Sequence, residues 1–202
     1  MPPGSLIPPH GGYKKLRTYK LGNLIYDATA AFCTQYLDRK DRTYDQMVQA
    51  ERSGVANIIE GSEASATSKK TELKLTNVAK ASQEELLTDY QAFLRQRGLP
   101  EWELDSPAIQ TLRQVKPETL DQLRELMAAL VTDPTLGAAR NGAEKAALKA
   151  EVAGNVMIGL INQETYLWGR QIARLASDFE QEGGFSERLH RIRTEARRKG
   201  KS

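Results

Sequence analysis

Apolar residues recur at three- and four-residue spacing along most of this chain, and that spacing decides what it can fold into. A face with this period belongs to an amphipathic helix, whereas a half-buried strand alternates apolar and polar residues. Almost no segment alternates with period two, so the sequence predicts a protein without a sheet. The clearest stripe lies on the first predicted helix, from Leu16 to about Tyr36, and consists of Leu21, Leu24, Ile25, Ala28, Phe32 and Tyr36.

Capping residues divide the pattern into further helices. The second helix is expected to begin at Thr43, which forms a capping-box pattern with Gln46, and to end at Gly61. The third should begin after Ser68, a good N-cap, and run to about Arg97. Two short helices are expected between residues 99 and 142, opened by Pro107 and Pro117. The last long helix should extend from about Ala143 to Glu182.

These helices predict an all-α protein, an antiparallel up-and-down four-helix bundle with short links between its first three helices. The connection between the third and fourth helices is a helical insertion, at about residues 99–142. We expect a disordered leader at residues 1–12, the bundle at 13–184, and a basic C-terminal extension at 185–202. The fourth helix is apolar on more than one side, so its apolar surface is wider than one bundle core needs. Either the insertion or another subunit would cover the remaining apolar surface.

Positive charge is concentrated near the two ends of the chain. Residues 185–202 hold seven Lys/Arg and two Asp/Glu, a net charge of +5, so the other 184 residues sum to −2 in a chain of net charge +3. A smaller basic cluster near the start consists of Lys14, Lys15, Arg17 and Lys20. Clustered charge attracts polyanions, although a solvated tail has the same composition.

The residue groups that most enzymes need are missing from the sequence. His10 and His190 fall in the leader and the tail, and Cys33 is expected to be a buried thiol. No Glu-x-x-His pattern supports a two-metal site, and no glycine-rich loop precedes Gly-Lys-Ser/Thr. We therefore expect no catalytic site, no metal and no cofactor. A single cysteine and the lack of a long apolar run favour a cytoplasmic protein that does not contact membranes.

The stretch "GVANIIEGSEASATSKKTELKL" places polar groups at the end of the second predicted helix. Asn57 and Glu60 lie three residues apart and share a face, and the helix dipole disfavours the charge of Glu60. Lys69 and Lys70 follow and could neutralise the charge of Glu60. In this interpretation Asn57 and Glu60 stabilise the turn between the second and third helices. The alternative is that this polar loop and its lysines face a partner.

The tail "FSERLHRIRTEARRKGK" combines a short apolar edge with many arginines. Phe185, Leu189 and Ile192 recur at helical spacing and could dock a helix. Arginine is suited to bidentate phosphate contacts because its planar fork presents paired donors. The arginines concerned are Arg188, Arg191, Arg193, Arg197 and Arg198. A solvated tail whose arginines pair with Glu187 and Glu195 is the alternative.

Two motifs resemble a known family. "NIIEG" at residues 57–61, followed by "KKTELKLTNVAKASQEELLTDYQAFL", is similar to the four-helix-bundle family first noticed in intervening sequences of bacterial large-subunit ribosomal RNA genes. Ile59 replaces the usual alanine. "EGGFSERLHRIR", with Gly183, Gly184 and Phe185, looks like a suffix that some members carry. More distantly, the chain resembles the accessory variability proteins of diversity-generating retroelements.

The resemblance implies a non-enzymatic accessory protein, a five-fold homo-oligomer that contacts RNA or DNA and a reverse transcriptase. The residues expected at a nucleic acid are Lys14, Lys15, Arg17, Lys69, Lys70, Arg188, Arg191, Arg193, Arg197 and Arg198. Asn57, Glu60 and Gly61, together with Gly183, Gly184 and Phe185, form the structural motif. The alternative function is an oligomeric protein-interaction scaffold that binds no nucleic acid.

Overall fold

All regular structure in the described part of the chain is helical, as the sequence predicts. The computed structural model describes residues 12–134 and 142–199, and these residues contain no strand. A 3-10 turn at Gly12–Lys15 leads into the first helix. The helices are α1 (Arg17–Tyr36), α2 (Arg42–Ala64), α3 (Lys69–Gln96), α4 (Pro107–Val115), α5 (Leu120–Thr132), α6 (Gly142–Glu182) and α7 (Phe185–Lys199). The leader predicted for residues 1–12 lies outside the described residues, apart from Gly12.

The four long helices pack around one apolar core. α1 contacts α2, α2 contacts α3, α3 contacts α6, and α6 contacts α1. Aromatic rings meet edge to face at one level of this core, where the ring centroid of Phe32 lies 4.8 Å from that of Tyr90 and 4.7 Å from that of Phe93. The stripe predicted for α1 supplies Leu24, Ile25, Ala28 and Phe32 to the buried core. The buried apolar residues of α3 and α6 include Ala79, Leu86, Tyr90, Leu94, Leu148, Val152, Val156 and Leu160.

The bounds of α2 differ from the prediction at both ends. Asp41, and not Thr43, is the N-cap: its carboxylate accepts a bond from the Thr43 backbone N–H at 2.9 Å. The helix also continues through Gly61 to Ala64. A Cβ at Gly61 would lie 3.4 Å from Leu75 Cβ and 3.5 Å from the Glu72 carbonyl oxygen. Gly61 therefore allows α2 and α3 to approach closely, and it does not end the helix.

The insertion packs on α6. α4 begins at Pro107 after the Ser106 cap, as predicted, but α5 begins at Leu120 after Thr119, and not at Pro117. A Cβ at Gly159 of α6 would lie 2.8 Å from Leu112 Cδ2 and 2.9 Å from Ile109 Cδ1, so the absence of a side chain there makes room for α4. The insertion thus covers one part of the wide apolar surface of α6.

One buried amide on α6 holds the start of the insertion. Asn155 accepts a bond from the Trp102 backbone N–H at 2.7 Å and donates to the Pro100 carbonyl oxygen at 2.9 Å. Trp102 Nε1 also donates to Glu151 Oε1 at 2.8 Å. These bonds join α6 to the backbone and to the Trp102 side chain of the segment that follows α3.

Asn155→Leu should lower the free energy of unfolding by about 2–4 kcal/mol, because it leaves the Trp102 N–H and the Pro100 carbonyl without partners. Urea unfolding followed by circular dichroism measures this loss. The matched control is Asn162→Leu on the same helix, since within the described ranges Asn162 donates only to the Ile158 carbonyl of its own helix. Its cost should stay below about 1 kcal/mol. Equal costs for the two variants would show that Asn155 does not anchor the insertion.

The C-terminal third of α6 extends beyond the core. The helix has 41 residues, about 60 Å at 1.5 Å per residue. Trp168 is the last of its described residues that is buried; Leu167, Ile172 and Leu175 are half-buried and Phe179 is 37% exposed. The part of α6 that lies in the core therefore ends at Trp168. No described helix, α6 included, has the length and apolar character needed to cross a membrane.

Candidate nucleic-acid interface

The predicted basic residues of the 3-10 turn, the start of α1 and the start of α3 lie at one end of the molecule, from which α6 leads into α7. The Thr18 hydroxyl at the start of α1 donates to Gln171 Oε1 on α6 at 3.0 Å. Trp168 packs with Ile58 of α2 and Ala79 of α3 in a small apolar cluster. Tyr13, Leu16 and Tyr19 cover this cluster. The start of α1, the α2–α3 turn and the protruding part of α6 are therefore neighbours; we call this end the α7 end.

Two basic surfaces lie at the α7 end besides α7 itself. Lys14, Lys15 and Arg17 are exposed on the 3-10 turn and the first residue of α1. Lys70 is exposed at the start of α3, whereas Lys69 is half-buried and forms an ion pair with Glu72 at 3.2 Å. Because Glu72 already neutralises it, Lys69 is the least available of the predicted phosphate contacts.

The α2–α3 turn is not held by the side chains of Asn57 and Glu60, which the sequence suggested for this role. Asn57 Nδ2 donates to the Ser53 carbonyl at 2.7 Å, within its own helix, and Glu60 is exposed. Backbone bonds close the turn instead, since the Ser68 N–H donates to the Ala64 carbonyl at 2.9 Å. The Ser68 side chain then caps α3. The prediction that Asn57 and Glu60 hold the turn is wrong because local backbone geometry suffices there.

A glycine turn fixes the start of α7. Gly183 has φ +70°, a conformation that favours glycine, and its N–H donates to the Phe179 carbonyl at 3.0 Å. Glu187 Oε2 accepts a bond from the Gly184 N–H at 2.9 Å, which places an acid in the first turn, where the helix dipole favours it. The prediction that these glycines end α6 is confirmed.

α7 presents arginines to solvent. Phe185, Leu189 and Ile192 are half-buried, in agreement with the predicted apolar edge. Arg188 is also half-buried, and its Nε has no hydrogen-bond partner among the described residues. The exposed arginines are Arg191, Arg193, Arg197 and Arg198. The helix therefore carries a surface of at least four guanidinium groups beyond the end of the core.

The most unusual feature of the core is a pair of buried carboxyl groups. Glu51 is an alternative to Val48 on the apolar stripe of the second predicted helix, but the sequence does not predict that it pairs with a second acid. Glu51 of α2 and Glu164 of α6 are both 0% exposed. A Cβ at Gly22 of α1 would lie 2.9 Å from Glu164 Oε1 and 3.6 Å from Glu51 Oε1, so the two groups flank the same glycine. Gln83 of α3 donates through Nε2 to Glu51 Oε2. All four long helices thus meet at this pair.

Burial changes the protonation of both carboxyl groups. Desolvation raises the pKa of Glu51 to about 8, although the bond from Gln83 works in the opposite direction. Desolvation raises the pKa of Glu164 well above its ordinary value, and the neighbouring charge of Glu51 adds to the rise, whereas the indole N–H of Trp168 works in the opposite direction. Glu51 Oε1 and both Glu164 oxygens have no hydrogen-bond partner in the described chain.

The described residues offer no candidate metal site. No group of three or more His, Cys, Asp and Glu side chains in these ranges is placed to hold a metal ion. Cys33 is buried, and burial raises the pKa of its thiol to about 12, which disfavours the reactive thiolate.

Comparison with known proteins leaves the family resemblance a prediction. No protein-family model matches the chain, and neither a curated protein nor a solved structure matches it significantly.

Proposed function

We propose that this protein is a non-enzymatic, cytoplasmic accessory protein that binds RNA or DNA through α7. In this proposal α1, α2, α3 and α6 form an antiparallel up-and-down bundle that presents α7. The protein acts as a homo-oligomer, with the five-fold ring implied by the family resemblance. Its further partner is a nucleic-acid enzyme such as the reverse transcriptase of a retroelement. Phosphate groups would be bound without reading of the base sequence, since no base-reading motif is present.

The exposed arginines of α7 carry this proposal. Arg191, Arg193, Arg197 and Arg198 face solvent, while Leu189 and Ile192 on the same helix are half-buried. A helix with one covered edge holds its other side chains at defined spacing, which suits contact with a regular phosphate backbone better than a free tail does. Lys14, Lys15, Arg17 and Lys70 at the α7 end extend the positive surface.

A second function rests on the apolar side of α6 beyond Trp168. Ile172 and Leu175 are half-buried, Phe179 is 37% exposed, and α7 is not one of the helices that pack to form the core. Exposed apolar residues in one stripe favour a contact with another protein chain. In this function the protein is an oligomeric scaffold, and α7 serves assembly or solubility without binding nucleic acid.

A salt-dependent titration with RNA and DNA distinguishes the two functions. Replacing Arg191, Arg193, Arg197 and Arg198 with glutamine should lower the affinity for either polymer by about 10- to 100-fold at low salt. It should also reduce the slope of log affinity against log salt by about 3 to 4, because four fewer counterions are released. Fluorescence anisotropy with a labelled oligonucleotide measures both quantities.

The control variant removes the same charge elsewhere. Arg39, Lys40, Arg42 and Arg113 are exposed on other surfaces, and their replacement with glutamine should leave affinity and slope within about twofold of the parent protein. If the parent protein binds neither polymer at low salt, the scaffold function is favoured. If both variants lose affinity equally, binding reflects net charge and not α7.

A further inference from the structure

The buried carboxyl pair is the part of the core that the proposed function does not use. An ionised carboxylate in an apolar interior is costly unless a cation or several hydrogen-bond donors face it. Glu51 has one donor, Gln83 Nε2, and among the described residues neither Glu51 nor Glu164 forms an ion pair. Gly22 leaves space beside both carboxyl groups, and Gly54 leaves space for Gln83: a Cβ at Gly54 would lie 3.1 Å from Gln83 Nε2.

Each helix that contacts the pair contributes neutral or acidic groups. α1 contributes Gly22, and α3 contributes Gln83 and Tyr90, whose hydroxyl bonds to the Thr29 hydroxyl at 3.0 Å. Burial raises the pKa of the Tyr90 hydroxyl well above its ordinary value, so this group stays neutral. α6 contributes the uncharged Trp168 beside Glu164. Asp89 and Cys33 lie further out, near Tyr90. Two acids without a facing cation are stabilised most simply by keeping protons.

We propose that Glu51 and Glu164 form a proton-holding pair that keeps the four long helices packed when protonated and loosens them when it ionises. The core is then a pH-responsive switch. When the carboxyl groups are protonated, their O–H groups can donate hydrogen bonds to the carboxyl oxygens that otherwise have no partner. When both are ionised, the two carboxylates that flank Gly22 repel each other and draw water inward.

The direction of the pH dependence follows from the raised pKa values. A carboxyl group whose pKa is higher in the folded chain than in the unfolded chain makes the folded state bind more protons between the two values. For Glu51 these values are 4.5 and about 8. Its contribution to stability is fully present below about pH 4.5 and is lost progressively as the pH rises to about 8. Ordinary carboxyl groups have already ionised at about pH 6, so few other acids titrate there.

The experiment is urea unfolding of the full chain between about pH 6 and pH 8. For the parent protein, the ratio of folded to unfolded chains should fall at least about tenfold per pH unit. For the double variant Glu51→Gln and Glu164→Gln the ratio should change little, and for Glu164→Gln alone the slope should be intermediate. The control Glu84→Gln alters an exposed acid of α3 and should retain the slope of the parent protein. All four proteins contain the same histidines, so differences between profiles isolate the acids.

Three results would overturn the switch. One is a parent protein whose stability does not fall over this range, and another is a double variant whose profile parallels it. The third is recovery of the lost stability at about pH 8 by added Mg²⁺, which would make the pair a cation site. If the double variant does not fold, infrared spectroscopy of the parent protein decides: a protonated carboxyl C=O band should be present at about pH 7 and weaken by about pH 9. Its absence at neutral pH contradicts the proposal.

Discussion

Trp168→Ala is expected to lower the free energy of unfolding by about 3–5 kcal/mol, which is the usual cost of removing a fully buried large aromatic side chain. Trp168 is 1% exposed and fills the level of the core at which α2, α3 and α6 meet, against Ile58 and Ala79. The variant should also weaken the pH dependence of stability. Water admitted beside Glu164 reduces the desolvation that raises the pKa of this carboxyl group.

Urea unfolding at about pH 6 measures the first effect, and the slope of stability against pH measures the second. The control is Tyr166→Ala, because Tyr166 lies on the same helix and is 66% exposed. Its cost should stay within about 0.5 kcal/mol. A loss below about 1 kcal/mol for Trp168→Ala would mean that the α7 end does not depend on this aromatic side chain.

The sequence predicted the helices well because periodicity and caps are local signals. Ser68 and Ser106 mark the starts of α3 and α4 through bonds within four residues, and the glycine pair after Glu182 ends α6 through its own conformation. Gly61 shows the limit of such signals. A glycine that ends a helix and a glycine that admits a neighbouring helix look the same in a sequence, and only the position of Leu75 tells them apart.

The buried acids could not be identified with certainty for a related reason. Glu51 and Val48 are alternative positions on the apolar stripe of α2, and three- and four-residue spacings fit both. Glu164 lies four residues after Leu160 and four residues before Trp168, and therefore on the buried face of α6. An acid at an apolar position of α2 and another at an apolar position of α6 were the signals that the sequence offered. Gly22 of α1 leaves the space beside both acids, and Gly54 of α2 leaves room for Gln83, the donor to Glu51. These contacts join different helices, and the local spacing of residues in the sequence does not reveal them.

The basic residues, in contrast, could be chosen by composition, but their arrangement could not. Nothing local indicates that the 3-10 turn before α1, the α2–α3 turn and the C-terminal third of α6 share one end of the molecule. That follows from the contacts of Trp168 and the bond from Thr18 to Gln171. It also follows from the structure that Lys69 is already paired with Glu72.

Removing α7 should abolish most nucleic-acid binding and leave the core intact. A chain shortened to residues 1–184 loses seven Lys/Arg and two Asp/Glu, and the remaining 184 residues have a net charge of −2. Binding at low salt depends on phosphate contacts and the counterions that they release, so this chain has lost the main source of affinity. Its helices α1 to α6 keep their mutual contacts, and the free energy of unfolding should change by less than about 1 kcal/mol.

The most direct test of the proposed function is therefore retention of RNA and DNA by the full chain and by the chain of residues 1–184, at low salt and with unfolding curves recorded for both. We expect retention by the full chain that weakens steeply as salt rises, almost no retention by the shortened chain, and matching unfolding curves. Equal retention by the two folded chains, or retention by neither, would contradict it.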